Sequence, residues 1–523
     1  MSDLSLSPKR RTCILLCICI LIFAVSLLFR LMKLVIDPGL QRDPTLYLQW
    51  ATHWYETGDC HFFQASGDPV QTPIFPIWAL KELMVSGLGA EVVGRGLSLF
   101  LGSMIPVISF VIALRVFQNI RIALVTALLL AVQPDLVPYS VQPLRENFYV
   151  FFEALLLLAI VESVKNGTYF KWGLCGVLVS FISFCRYEGM EFILIVPFVI
   201  VGMAFIDGIK RKRALLNIAS FSVCFGIASV FLLSLSNFEI GVMSKIEDII
   251  EIRFRGGGGA VHAETAAVKV VEKSAESESG NLFDYITKIV KGVNVIIFIW
   301  TIPGVYLVLK QRRGKDNRKL YLFFAVTGFM IAWRVAIKII TSRYSVALII
   351  PFALFAAFFL VDSGKKRHGL VMSALCAFVI CTFVVYVDMN FDSISRYHYS
   401  TVVSDVFRKY DETQESFYIV RRAEYSRIPF MSATKNAVRP IKDSETFYDF
   451  FKKQGGIYPG TIVYYQIRKN VDGLRGFRNV KCLVSLPQNE DGSKRQVICS
   501  IAPELEPAPD PETAPVSETG TGP

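Results

Sequence analysis

Charged residues are scarce in this chain of 523 residues, at 19% of positions, against about 25% in ordinary globular proteins. That shortage, together with apolar runs long enough to cross a bilayer, excludes a simple soluble protein, a fibrous one and a wholly disordered one. Internal repeats are missing too, including the inverted-repeat symmetry that marks many secondary transporters. Metal-ligand spacing is equally poor. His53, Asp59, Cys60 and His61 stand close together but match no paired-ligand pattern, and no D-x-D occurs between residues 37 and 90. No metal and no cofactor is expected.

What the chain has is hydrophobicity: 53% of residues are apolar and the mean hydropathy is +0.46. The formal charge of +11 points at first toward nucleic acid. The bases, however, sit mostly in short loops between apolar runs, so the expected partner is the lipid bilayer and not nucleic acid.

A membrane helix needs about 20 mostly apolar residues. Spans are expected near 13–36, 91–114, 121–138, 146–163, 171–187, 190–207, 214–237, 293–310, 319–340, 343–361 and 369–387. Segment 74–90 is apolar but interrupted by Pro76, Lys81 and Glu82, and reads as interfacial. With the N-terminus and its Lys9, Arg10 and Arg11 in the cytoplasm, the inner loops collect Lys210 to Arg213, the six bases from Lys310 to Lys319, and Lys365 to Arg367. The short outer loops hold few. That asymmetry fits eleven spans with the C-terminus outside. The first apolar stretch is too long for a signal-peptide core, so it reads as an uncleaved span.

The predicted class is therefore an all-α polytopic membrane protein with a small C-terminal α/β soluble domain. Residues 1–387 form the membrane domain, with outer loops at 37–90 and at 238–292, the second flexible around Gly256 to Gly259. Residues 388–502 form the extracytoplasmic domain. Helical periodicity appears there at 400–411 and 445–453, and strand-like runs at 417–421, 461–467, 479–486 and 495–501. The tail 503–523 is acidic, proline-rich and disordered by composition.

Ionisable residues at the membrane edge are functional candidates because desolvating them is expensive. They gather on the outer side: Asp43 after the first span; Arg145 and Glu146 at the start of the fourth; Arg186, Glu188 and Glu191 in the turn CRYEGME; and Arg334, Lys338 and Arg343 before the tenth. Such a set suits chemistry on an anionic lipid-linked substrate, and equally a proton-coupled transporter. Each residue also has a plainer role. Asp43 before Pro44 reads as a helix cap. Arg145 and Glu146 read as an interfacial ion pair, and Arg343 as a snorkelling base. Leu46, Tyr47, Trp50 and Trp54 make one stripe, as an interfacial helix would.

The order of motifs adds a resemblance. Arg30 lies late in the first span, followed by D-x-x-x-Y (Asp43, Tyr47) and Thr57–Gly58. TPIFPIWAL comes next, then G-R-x-x-S at 94–98, an outer loop from Pro134 to the R-E pair ending at Glu146, and S-R-Y from Ser342 to Tyr344 ahead of Pro351. Over residues 10–365 this resembles the polyprenyl-phosphate-sugar-dependent glycosyltransferases of the GT-C superfold, nearest the protein O-mannosyltransferase and aminoarabinose transferase group. The resemblance implies an integral-membrane enzyme, in the inner membrane of a bacterium. It would move a sugar with inversion from a polyprenyl-phosphate carrier to a hydroxyl of a surface glycan, lipid or protein. It makes Asp43 the catalytic base. Tyr47, Arg145, Glu146, Arg186, Glu188, Arg334, Lys338, Arg343 and Tyr344 become substrate-binding candidates. Many members carry a second acid directly after the first, where this chain has Pro44. A secondary transporter or lipid flippase is the main rival, and an O-antigen ligase or polymerase the second, with Arg253 and Arg255 its residues to test.

Of eleven cysteines, eight lie in or beside expected spans. Folding the hairpin around PQNEDGSK symmetrically about residues 490–491 sets Cys482 opposite Cys499, where an oxidising compartment would let them bond.

Overall fold

The structure is a computed structural model. It describes residues 7–36, 42–58, 74–166, 168–207, 211–235, 294–311, 325–332 and 348–364, a few isolated positions between these, and five strands in the C-terminal third. The chain divides into two compact units: residues 1–38, 50–62 and 69–391, and residues 39–49, 63–68 and 392–523.

The first unit is helical. Its helices are α1 (Pro8–Ile36), α2 (Arg42–Thr57, whose first turns belong to the second unit), α3 (Phe75–Met84), α4 (Ala90–Phe117), α5 (Ile120–Ala131) and α6 (Leu136–Ser140). They continue with α7 (Arg145–Asn166), α8 (Tyr169–Cys185), α9 (Glu191–Asp207), α10 (Arg211–Ser234), α11 (Val295–Gln311) and α12 (Ile349–Gly364). Among the described residues, five helices are long and apolar enough to cross a membrane, and four shorter apolar ones accompany them. The protein is a polytopic membrane protein. Expected spans at 319–340 and 369–387 lie largely outside the described residues.

Packing follows from sequence. In α4, Leu101, Ile105, Ile108, Ile112 and Val116 are buried at helical spacing, and the helix packs on α1, α5 and α7. Helix α8 lies between α7 and α10, and α12 between α5 and α11. Small residues permit the closest crossings. A Cβ added at Gly304 of α11 would collide with the Phe355 carbonyl oxygen of α12, and one at Gly102 of α4 with the Ser140 side chain.

Three local readings change. The helix at the expected third span is shorter than 121–138: α5 has 12 residues, about 18 Å at ~1.5 Å per residue, because Pro134 cannot donate to a helical ladder and the chain turns there. The segment expected to be interfacial, 74–90, holds a helix, α3, with one face packed. Phe75, Ile77, Leu80 and Met84 of α3 are buried, and Phe75 meets Phe181 edge-on at 4.8 Å and Phe148 at 6.0 Å. In α2 the buried face is Tyr47, Leu48, Ala51 and Trp54, while Leu46 and Trp50 are half-buried. The helix also starts at Arg42, so Asp43 lies in its first turn and not at the cap.

In the second unit, β1 (Tyr418–Arg421), β2 (Val438–Ile441), β3 (Ile462–Ile467), β4 (Val480–Ser485) and β5 (Arg495–Ile501) form one sheet in the order β2-β1-β3-β5-β4. β1 runs parallel to both β2 and β3, and β5 antiparallel to both β3 and β4. Four of these strands coincide with the expected runs. β2 falls on no expected run, and it contains Pro440, a residue that interior strands avoid. It stands at the sheet edge, where a missing N–H is tolerated. The helices expected at 400–411 and 445–453 lie outside the described residues.

Candidate functional site

Among the described residues, the first unit gathers most of its buried ionisable side chains toward one end of the helical bundle. That end carries the N-termini of α4, α7 and α9 and the C-termini of α5 and α8, and three arginines tie it together. Arg30 of α1 is fully buried and donates to the Ser26 carbonyl oxygen (3.0 Å), the Ser26 hydroxyl (2.5 Å) and the Ala131 carbonyl at the end of α5 (3.3 Å). A guanidinium at a helix C-terminus meets the negative end of the helix dipole. Arg95 of α4 pairs with Glu91 at 2.8 Å and donates to the Val141 carbonyl at 3.3 Å. It thereby fixes the turn between α6 and α7. Asn147 closes the same turn by donating to the carbonyls of Tyr139 and Gln142.

Arg186, at the C-terminal end of α8, is the centre. Its Nη1 donates to Glu146 Oε1 at 2.7 Å, while Nε and Nη2 reach Glu188 Oε2 and Oε1 at 3.1 and 3.3 Å. Its guanidinium carbon lies 6.0 Å from the ring centre of Tyr149. Tyr149 in turn donates to Glu191 Oε1 at 3.4 Å. Arg186, Glu146, Glu188 and Glu191 are all buried. The forked contact to Glu188 uses the planar geometry that only arginine offers. Three of its donor N–H directions are thus spent on carboxylates.

Of the residues singled out in the sequence, the structure therefore brings together Glu146, Arg186 and Glu188, with Glu191 joined through Tyr149 and Arg145 half-buried beside Glu146 on α7. Asp43 and Tyr47 stand on α2 in the stretch assigned to the second unit, Asp43 half-buried and Tyr47 buried. Arg334, Lys338, Arg343 and Tyr344 lie outside the described residues. Among the described residues no group of three or more potential ligands is placed to hold a metal ion.

Two buried residues on the same helix carried no sequence assignment. Tyr149, which joins the cluster, lies one turn below Glu146, and Glu153 lies a further turn below, fully buried inside α7. The positions 146, 149 and 153 share one helix face. The signal was present: an acid inside FFEALLLLAIV is an intramembrane ionisable group.

No protein-family model matches the chain, and no curated protein sequence matches it. Solved structures do. ArnT from Cupriavidus metallidurans, crystallised with undecaprenyl phosphate, superposes with a TM-score of 0.58 at 13% identity, over 92% of this chain and 97% of that one. The fold is that of the GT-C membrane glycosyltransferases. The apo form of ArnT gives a TM-score of 0.59 at 12% identity, with the same coverage. The Archaeoglobus fulgidus oligosaccharyltransferase, tethered to an acceptor peptide containing the NVT sequon, gives 0.51 at 13% identity over 79% of this chain. The chain spans 63% of that protein's length. Within this GT-C fold, the buried arginine and glutamate cluster sits where the α6–α7 and α8–α9 connections meet.

Proposed function

We propose that this protein transfers a sugar from a polyprenyl-phosphate carrier to an acceptor hydroxyl at the outer face of its membrane. The observation that carries the reading is the shared fold with ArnT, a protein crystallised with undecaprenyl phosphate, over nearly the whole of both chains. The same proposal includes eleven spans, an inside N-terminus, an extracytoplasmic α/β domain and a bacterial inner membrane.

The acceptor oxygen attacks the anomeric carbon, the bond from that carbon to the carrier phosphate breaks, and the configuration inverts. Asp43 takes the hydroxyl proton, the general-base role of a carboxylate. The leaving group is a phosphate monoester, whose growing charge needs cations held nearby. Arg145 and the later bases Arg334, Lys338 and Arg343 fill that role, with Tyr47 and Tyr344 completing the substrate contacts. Arg186, already shared by Glu146 and Glu188, works as the anchor that fixes Arg145 and its turn. The acceptor is a surface glycan, a lipid or a protein.

The test is transfer from a synthetic polyprenyl-phosphate sugar in membranes containing the protein, followed as release of polyprenyl phosphate. Asp43→Asn keeps a polar first-turn residue and removes the base, and should lower turnover by about 10²–10⁴-fold. Asp37→Asn is the control and should be neutral. Full activity in Asp43→Asn would move the base to another carboxylate.

A further inference from the structure

We propose that Cys482 and Cys499 are joined by a disulfide that closes the β4–β5 hairpin. Strands β4 and β5 are antiparallel, and Cys482 and Cys499 are direct partners in their register. Directly opposed residues lie on the same face of a sheet. In an antiparallel ladder directly opposed Cα atoms are about 4.5–5.5 Å apart, inside the roughly 4.4–6.8 Å that a disulfide spans.

The ladder reaches this pairing through an irregularity. From the turn outward the pairs are Ser485↔Val497 and Val484↔Ile498. Continued regularly, they would set Leu483 against Cys499 and leave Cys482 on the opposite face, since a one-residue slip exchanges faces. The register instead shifts between Cys482 and Val484, and the next pairs are Cys482↔Cys499, Lys481↔Ser500 and Val480↔Ile501. The extra residue on β4 thus brings the two cysteines into register. They are also the only two cysteines from residue 388 onward.

Formation removes two protons and two electrons from the thiols. A thiol-oxidising protein of the outer compartment accepts the electrons by exchange through a mixed disulfide, its own disulfide becoming a dithiol. The inference rests on the outer placement of this domain, and the experiment separates the two. Native membranes holding the full-length protein are dissolved in denaturant with an alkylating maleimide, without reductant, then digested with trypsin. Cleavage after Lys481, Lys494 and Arg495 releases peptides 482–494 and 496–523. The expected result is that they run joined and separate on reduction. In Cys482→Ser, Cys499 should become alkylated without reduction, and Cys60→Ser should change nothing. Recovery of both peptides alkylated and separate, or of either one joined to Cys60, overturns the proposal. Diamide treatment of the purified protein then shows which premise failed: linkage means the register is sound and the compartment is not, and no linkage means the register is wrong.

Discussion

Arg186 binds two carboxylates and all three side chains are buried, so its worth is set by what its removal leaves behind. Burying a charge pair gains little over an apolar core, but removing one member strands the rest and costs about 3–5 kcal/mol. Arg186→Ala should therefore lower the thermal midpoint of the detergent-solubilised protein strongly. Glu146→Gln should lower it less, because Glu188 still holds the guanidinium. Equal midpoints for wild type and Arg186→Ala would contradict the anchoring role. Asp135 gives a pH test of the neighbouring turn. Its carboxyl is pushed up to about 6 by burial, against the lowering effect of the Gln133 hydrogen bond. The folded state thus holds this proton to higher pH than the unfolded chain, whose carboxyl titrates near 3.8. The stability it adds is complete below that value and is lost as pH rises to about 6. In Asp135→Asn the midpoint should no longer fall across that window, and an unchanged pH slope would show that Asp135 does not cause it.

Among elements, long apolar helices were legible because length and hydrophobicity belong to a run as a whole. What ends a helix is local, and α5 shows it: apolar residues continue to Val141, but Pro134 breaks the ladder, and Gln133 turns its side chain back to accept from the backbone N–H groups of Asp135 and Leu136. The strands β1, β3, β4 and β5 were legible from β-branched and aromatic runs. β2 was not, since only the sheet order reveals that Pro440 is on an edge. The buried face of α2 was misjudged by one position because aromatic residues occur on two sides of it, and burial depends on neighbours distant in sequence. The site was half legible. Glu146, Arg186 and Glu188 were identified singly from their place at span ends, but no spacing states that residues 40 apart form one ion pair. Helix crossings offer a test at the same scale. Gly304→Leu forces α11 away from the Phe355 carbonyl, and should cost roughly 1–3 kcal/mol as overpacking does. Gly226→Leu, where no described residue lies within 4 Å of an added Cβ, should be neutral in the same melting experiment. Equal effects would mean that Gly304 is not a close contact.

At the scale of the whole molecule, the proposal of a lipid-linked donor requires that the loops rich in bases and the buried ionisable cluster lie at opposite faces of one membrane. Sidedness is checked by reporter fusions after residues 212 and 505, which should report opposite compartments. The same compartment for both would overturn the eleven-span arrangement. The central claim is glycosyl transfer itself, and mass spectrometry of surface glycolipids and glycoproteins tests it most directly, in cells lacking the gene and complemented with wild type or Asp43→Asn at matched protein level. The account predicts that one sugar increment disappears from a surface molecule on deletion, returns with wild type and stays absent with Asp43→Asn. An unchanged set of surface glycans in the deletion strain, accompanied by a defect in solute uptake, would contradict it.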